Sequence, residues 1–206
     1  MQTKSFAEMH KIKQYVLLLE LLEVQPEVWR SIHIDGRIRL DALHHILQAA
    51  MGWSDSRPHR FEIDKKFYLP TGSQDAESDF DTFAEKEYRL DQLMAVGDTC
   101  NYLYDFEDGW HHRIRVEAIT GIDIPEKGVG LAWIEAGARA CPPEDVGGAR
   151  GYQDLLDTLG NEAYRDDAWL IGVWAGVDFD PERFNRQSAN AAIERMLKNG
   201  WIKIGA

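Results

Sequence analysis

The 206 residues carry 35 Asp and Glu against 23 Lys and Arg, a formal net charge of −12, with 44% hydrophobic and 11% aromatic residues. That is enough apolar material for one substantial core, and the acidic balance disfavours direct nucleic-acid binding, whose affinity comes largely from neutralised phosphates. Cys100 and Cys141, in no Cys-x-x-Cys spacing, give no support to a disulfide framework or a thiolate zinc site, and no run approaches the roughly 20 apolar residues of a membrane-spanning helix, so a reducing, cytoplasmic location is expected.

Residues 1–14 read as an N-terminal extension and 15–206 as a single domain. Residues 15–24 are too apolar to lie exposed, and Gln25-Pro26 breaks the run before 28–34, which predicts two strands joined by a proline turn. Asp35-Gly36 leads into Leu40, Leu43, Ile46, Leu47, Ala50 and Met51 at helical spacing, closed by Gly52. Beyond a polar loop over 54–58, residues 59–63 alternate and 66–69 return as a hairpin partner. Residues 71–87, rich in Asp, Glu, Ser and Gly with Phe80 and Phe83 as anchors, read as an acidic surface excursion.

Residues 99–106 and 110–120 alternate on either side of Glu107-Asp108-Gly109, the strongest hairpin signal in the chain. A three-residue loop would pair Phe106 with Trp110, Tyr104 with His112 and Tyr102 with Ile114, placing His112 on the core side and Asp105 opposite His111 on the outer face, next to Arg113 and Arg115. After a glycine-rich and proline-rich stretch over 128–151, Tyr152, Leu155, Leu156 and Leu159 form a helical face before Gly160. An apolar run follows at 169–177. Asp180-Pro181 starts a new segment, and 189–197 read as a terminal helix, after which Trp201, Ile202 and Ile204 are expected to dock on the core. Strands early and helices late predict an α+β fold: a mainly antiparallel sheet with an early amphipathic helix and a C-terminal group of helices packed on it.

Two stretches carry a resemblance. Tyr104-Asp105-Phe106-Glu107-Asp108-Gly109-Trp110-His111-His112 and Cys141-Pro142-Pro143-Glu144-Asp145-Val146-Gly147-Gly148 resemble, in order and spacing, the signatures of the plasmid pRiA4b ORF-3-like family. Residues 26–30, Leu43-His44, Gln48 through Trp53 and His59-Arg60-Phe61 are similar to its first third, so the likeness spans about 15–197. Glu107 stands where the family usually has Gly, His111 where it has an acid, and Arg39 where a helix-capping Thr is common; Asp35 or Asp41 would have to compensate for the lost cap. The resemblance implies an α+β domain found on plasmids and mobile elements and brings no activity with it. The transposon-resolvase label borne by some members has no support here, because no serine sits among several arginines beside a basic segment.

The candidate ligand groove comprises Trp29, Arg30, His59, Tyr104, Asp105, Asp108, Trp110, His112, Pro143, Glu144, Asp145, Gly147 and Gly148. A non-catalytic binding or accessory module would use it to hold a protein or small molecule. The alternative is a metal-dependent, hydrolase-like enzyme in which His59, Asp105, His112 and Glu144 converge on a divalent metal, the right ligand types but without a fixed spacing such as His-Glu-x-x-His. The same residues have a structural reading: Asp105 and Asp108 cap the turn, His112 is a hydrogen-bonded core residue, and Glu144-Asp145 caps a helix or pairs with an arginine. Phosphate-loop motifs are lacking, and Cys141 reads as an ordinary buried thiol.

Overall fold

The computed structural model of the chain describes residues 9–73, 81–125, 131–161 and 179–204. Among the described residues, eight strands form one sheet: β1 (Met9–Leu21), β2 (Val28–Asp35), β3 (His59–Ile63), β4 (Lys66–Leu69), β5 (Thr82–Ala84), β6 (Thr99–Tyr104), β7 (Trp110–Pro125) and β8 (Ala132–Ala138). Their spatial order is β5-β4-β3-β6-β7-β1-β2-β8. Every pairing is antiparallel except β4 with β5. The helices are α1 (Leu40–Met51), the short α2 (Leu90–Leu93), α3 (Gly148–Gly160) and α4 (Arg186–Lys198). The fold is α+β with a mainly antiparallel sheet.

Period-two burial explains why the strands form. Leu17, Leu19 and Leu21 of β1, Val28, Ile32 and Ile34 of β2, and Tyr102, Tyr104, Ile114 and Val116 of the β6–β7 hairpin join one apolar cluster with Leu43, Ile46, Leu47 and Ala50 of α1. At about 25 cal/mol per Å² of apolar area, this cluster is the main source of folding energy. The α1 start lacks a side-chain cap from Arg39, and Asp41 compensates: its Oδ1 accepts from the Ala42 N–H at 2.8 Å, while the Tyr88 carbonyl takes the Leu40 N–H at 3.0 Å. Asp35 instead binds the backbone and guanidinium of Arg37. At the other end Gly52, at φ 88°, donates to the Gln48 carbonyl at 2.7 Å and turns the chain into Trp53.

Several expectations are corrected. The first strand starts at Met9, inside the segment read as an extension; residues 1–8 lie outside the described residues. The 71–87 excursion contains β5 and a 3₁₀ turn over Glu85–Glu87, and Glu85 is buried; Phe80 lies outside the described residues. A strand, β8, replaces part of the glycine-rich stretch. Its Ala and Gly content hides it, and the reason for that content is packing: a Cβ at Gly137 would lie 2.8 Å from both Arg30 Cδ and the Phe184 ring. Ile202 docks on the core, whereas Trp201 is 75% exposed. The apolar run at 169–177 lies outside the described residues.

Arg30 joins the layers. Buried on β2, it donates to the carbonyls of Ala50, Trp29, Ala138 and Arg139 at 2.8–2.9 Å, tying α1 to the chain around β8, and its guanidinium lies 3.8 Å from the Phe184 ring centre. Burial lowers its pKa to about 10, still charged at neutral pH. Arg30→Met should cost about 3 kcal/mol or more, because it strands buried carbonyls without a donor. Urea denaturation reads this directly, and a loss below about 1 kcal/mol would deny Arg30 its joining role.

Candidate functional site

The hairpin tip is wider than a three-residue loop. Tyr104 pairs with Trp110, Tyr102 with His112 and Leu103 with His111, leaving Asp105 through Gly109 as the turn. The register differs by two residues from expectation, so the strand side chains that stay paired keep their faces and His112 is fully buried, whereas Phe106, expected opposite Trp110, lies in the turn and is 42% exposed. Asp105 does not oppose His111. It adopts φ 56°, is buried, and its Oδ1 accepts from the Glu107 N–H at 3.0 Å, while the Gly109 N–H donates to its carbonyl at 2.7 Å. Glu107 and His111 are exposed.

The second signature stretch grips a different segment, the loop over 53–57. Glu144 accepts from the Ser54 N–H, the Ser54 hydroxyl and the Tyr104 hydroxyl at 2.9–3.0 Å. Burial and the bond to Glu144 together push the Tyr104 hydroxyl up to about 12, so it stays a donor. The Trp53 indole N–H donates to the Pro142 carbonyl at 2.9 Å. Arg57 pairs with Asp145 and lies 3.6 Å from Asp105, and the Gly147 N–H donates to Asp108 Oδ2 at 3.3 Å. Gly148 is forced by this approach: its φ is 70°, and a Cβ there would lie 2.3 Å from the Asp108 carbonyl oxygen. Hairpin tip, proline-glycine stretch and 53–57 loop thus form one clasp.

The clasped loop carries Asp55 to α1. His44 Nε2 lies 2.5 Å from Asp55 Oδ1, and His45 Nδ1 lies 2.7 Å from Oδ2. The other His44 nitrogen meets the Tyr102 hydroxyl at 2.8 Å, and that hydroxyl accepts from Gln48 Nε2 at 2.9 Å. His59 stacks on His44, with ring centres 3.4 Å apart and planes 4° from parallel, and its Nε2 lies 2.9 Å from Glu85 Oε2. Burial lowers the His44 pKa against the opposing bond to Asp55, whereas the bond to Asp55 raises that of His45. Burial tends to raise the Asp55 carboxyl, but the bonds from both histidines outweigh it and hold it below the ordinary range. Beside this cluster lies a cleft of about 510 Å³, lined by His45, Gln48, Trp53, Ser54 and Asp55 on one side and Arg195, Asn199 and Trp201 on the other.

The residues expected to converge are held apart by separate partners: His59 by Glu85, Asp105 by the turn and Arg57, Glu144 by Ser54 and Tyr104. His112 meets the Tyr102 carbonyl at 3.3 Å and packs against the edge of Trp53, with no partner for Nε2 among the described residues. Among the described residues, the set of three His, Cys, Asp or Glu whose ligand atoms lie within 4.8 Å of one another is His44, His45 and Asp55, which shares no member with His59, Asp105, His112 and Glu144. Of the wider groove, Arg30 and Trp110 are buried, Trp29 borders a separate cavity with Arg113, and Pro143, Asp145, Gly147 and Gly148 belong to the clasp. On the outer hairpin face Arg113 and Arg115 pair with Glu20 and Glu117. Burial pushes the Cys100 and Cys141 thiols up, away from the thiolate form.

His45, Asp55, Gln48, Tyr102 and Glu85 escaped the sequence reading. One signal was available: a histidine at position 44, between Leu40 and Leu47 on the apolar face of a helix, needs a polar partner inside.

Fold and site define an α+β protein in which two signature stretches clasp a histidine-flanked cleft. The chain belongs to the plasmid pRiA4b ORF-3-like family, whose model matches residues 13–188. It is 34% identical over 192 residues to the uncharacterized protein y4hQ of Sinorhizobium fredii (strain NBRC 101917 / NGR234), covering 91% of this chain and 93% of that one. The crystal structure of MM3350, a protein of unknown function from Methanosarcina mazei Go1, superposes with a TM-score of 0.73 at 31% identity, covering 85% of this chain and 97% of that one.

His112 makes the fold acid-sensitive. Burial lowers its pKa to about 4, against bonds to backbone carbonyls that raise it. The unfolded chain therefore binds a proton that the folded chain refuses between about pH 6.5 and 4. Stability from this residue is fully present above 6.5, is lost as the pH falls, and amounts to about 3 kcal/mol. His44, also lowered by burial, acts in the same direction. Urea denaturation of the protein and of His112→Leu at pH 7 and pH 4 should show a smaller acid loss in the variant; parallel losses would contradict the assignment.

Proposed function

We propose that the chain is a non-catalytic binding module, cytoplasmic and an accessory of plasmids or mobile elements, whose ligand is a small flat molecule bearing a carboxylate. The observation that carries this reading is the cleft beside Asp55. Its volume of about 510 Å³ suits a small molecule. Trp201, 75% exposed at the cleft, offers an indole face for stacking, while Arg195 and Asn199 bring N–H donors suited to a carboxylate.

The alternative of a hydrolase using His59, Asp105, His112 and Glu144 is less well supported, because Asp105 and Glu144 are already bonded within the clasp and His112 is enclosed. The binding reading gives those residues a purpose: they fix one wall of the cleft. The absence of a helix long and apolar enough to cross a membrane, among the described residues, is compatible with the proposed location.

A set of aromatic carboxylates, screened by ligand-observed NMR against the full chain, tests the reading. Binders should weaken about 10-fold, roughly 1.4 kcal/mol, in Trp201→Ala and in Arg195→Ala. A set with no binder, or binders indifferent to both substitutions, would contradict it. So would turnover of p-nitrophenyl acetate or p-nitrophenyl phosphate that Arg195→Ala abolishes.

A further inference from the structure

The wall of the cleft holds a cluster that a hydrogen-bonded loop contact does not fully explain. We infer that His44 Nε2, His45 Nδ1 and the Asp55 carboxylate form a binding site for one divalent transition-metal ion, open towards the cleft. The inference deepens the binding reading, since the ion would lie in the wall of the same cavity.

Four observations carry it. The three ligand atoms lie within 4.8 Å of one another, so small side-chain shifts bring them inside the separation of at most about 4.4 Å that two bonds of about 2.0–2.2 Å to one ion allow. Two imidazole nitrogens and a carboxylate are donors that suit zinc, cobalt, nickel or iron better than the all-oxygen cations magnesium and calcium. His44 is pre-oriented as metal-binding histidines are: its Nδ1 meets the Tyr102 hydroxyl, which Gln48 steadies, and its ring is clamped by His59, itself tied to Glu85. Finally, Gln48 lines the same cleft, is 3% exposed, and its Oε1 has no partner among the described residues. A buried acceptor without a donor beside two histidines and a carboxylate is the kind of polar remnant that a ligand or metal-bound water satisfies.

His45 and Asp55 border the cleft directly, so an ion enters from that side, and three protein ligands leave a position for a donor atom of a cleft ligand.

The test is calorimetric titration of the untagged, chelator-stripped full chain with Zn²⁺ and with Co²⁺, together with the visible spectrum of the Co²⁺ form. The expected result is one ion per chain, with affinity falling at least about 10-fold in His45→Ala and in Asp55→Asn. His45 is half-buried, so His45→Ala leaves the core in place and keeps the test valid if Asp55→Asn unfolds. No stoichiometric uptake, or uptake unchanged in His45→Ala, overturns the site. The ions are added without any carboxylate probe, and the carboxylate screen is run on stripped protein, so failure of the metal site and failure of the cleft reading are separately visible.

Discussion

Everything distinctive about this molecule depends on one carboxylate. Glu144 receives three hydrogen bonds, from the Ser54 backbone, the Ser54 hydroxyl and the Tyr104 hydroxyl, and so joins the proline-glycine stretch, the 53–57 loop and the β6 strand at one point. A charged acceptor with three donors is worth more than three neutral contacts, and removing it leaves those donors to find water. Around that point the other contacts become possible. Trp53 reaches the Pro142 carbonyl, Arg57 spans Asp145 and Asp105, and Gly148 lets the backbone come against Asp108. The loop thus held presents Asp55 to His44 and His45.

The clasp explains why the most recognisable stretches of the sequence are poor places to look for chemistry. Their acids are closing a turn or holding a neighbour, which is the structural role open to them from the start. The chemistry-bearing residues sit one step away, on α1 and on the loop that the clasp positions. A buried layer supports them: Tyr102, whose burial holds its hydroxyl pKa well above the ordinary value, remains protonated as a hydrogen-bonding partner for His44, and the His59–Glu85 pair packs behind the same ring.

Much of the fold was legible because apolar residues repeat at the period of each element. The β1 and β2 runs, the α1 face and the β3–β4 and β6–β7 hairpins all follow from that periodicity. The exact pairing of β6 with β7 did not, for a physical reason: a shift of two residues leaves every side chain that stays paired on its face, so hydrophobic pattern cannot choose between the two registers. What chooses is the left-handed backbone of Asp105 and its bond to the Glu107 N–H. The β8 strand was illegible because Gly137 exists to admit Arg30 and Phe184, not to satisfy strand propensity. Within the site, His59 was found but not its partner, since Glu85 sits in an acidic run that reads as solvated. His45 and Asp55 have no motif spacing, and their meeting is a product of the clasp alone.

That dependence can be measured without knowing any ligand. Amide hydrogen exchange across residues 53–57 in the protein and in Glu144→Ala reads it at the Ser54 N–H, bound by Glu144, and the Ser56 N–H, bound by the Tyr104 hydroxyl. Both amides should lose protection in the variant while those of β1 and β7 keep theirs. Unchanged protection at Ser54 and Ser56 would contradict it, because the loop would then be held by something other than the clasp.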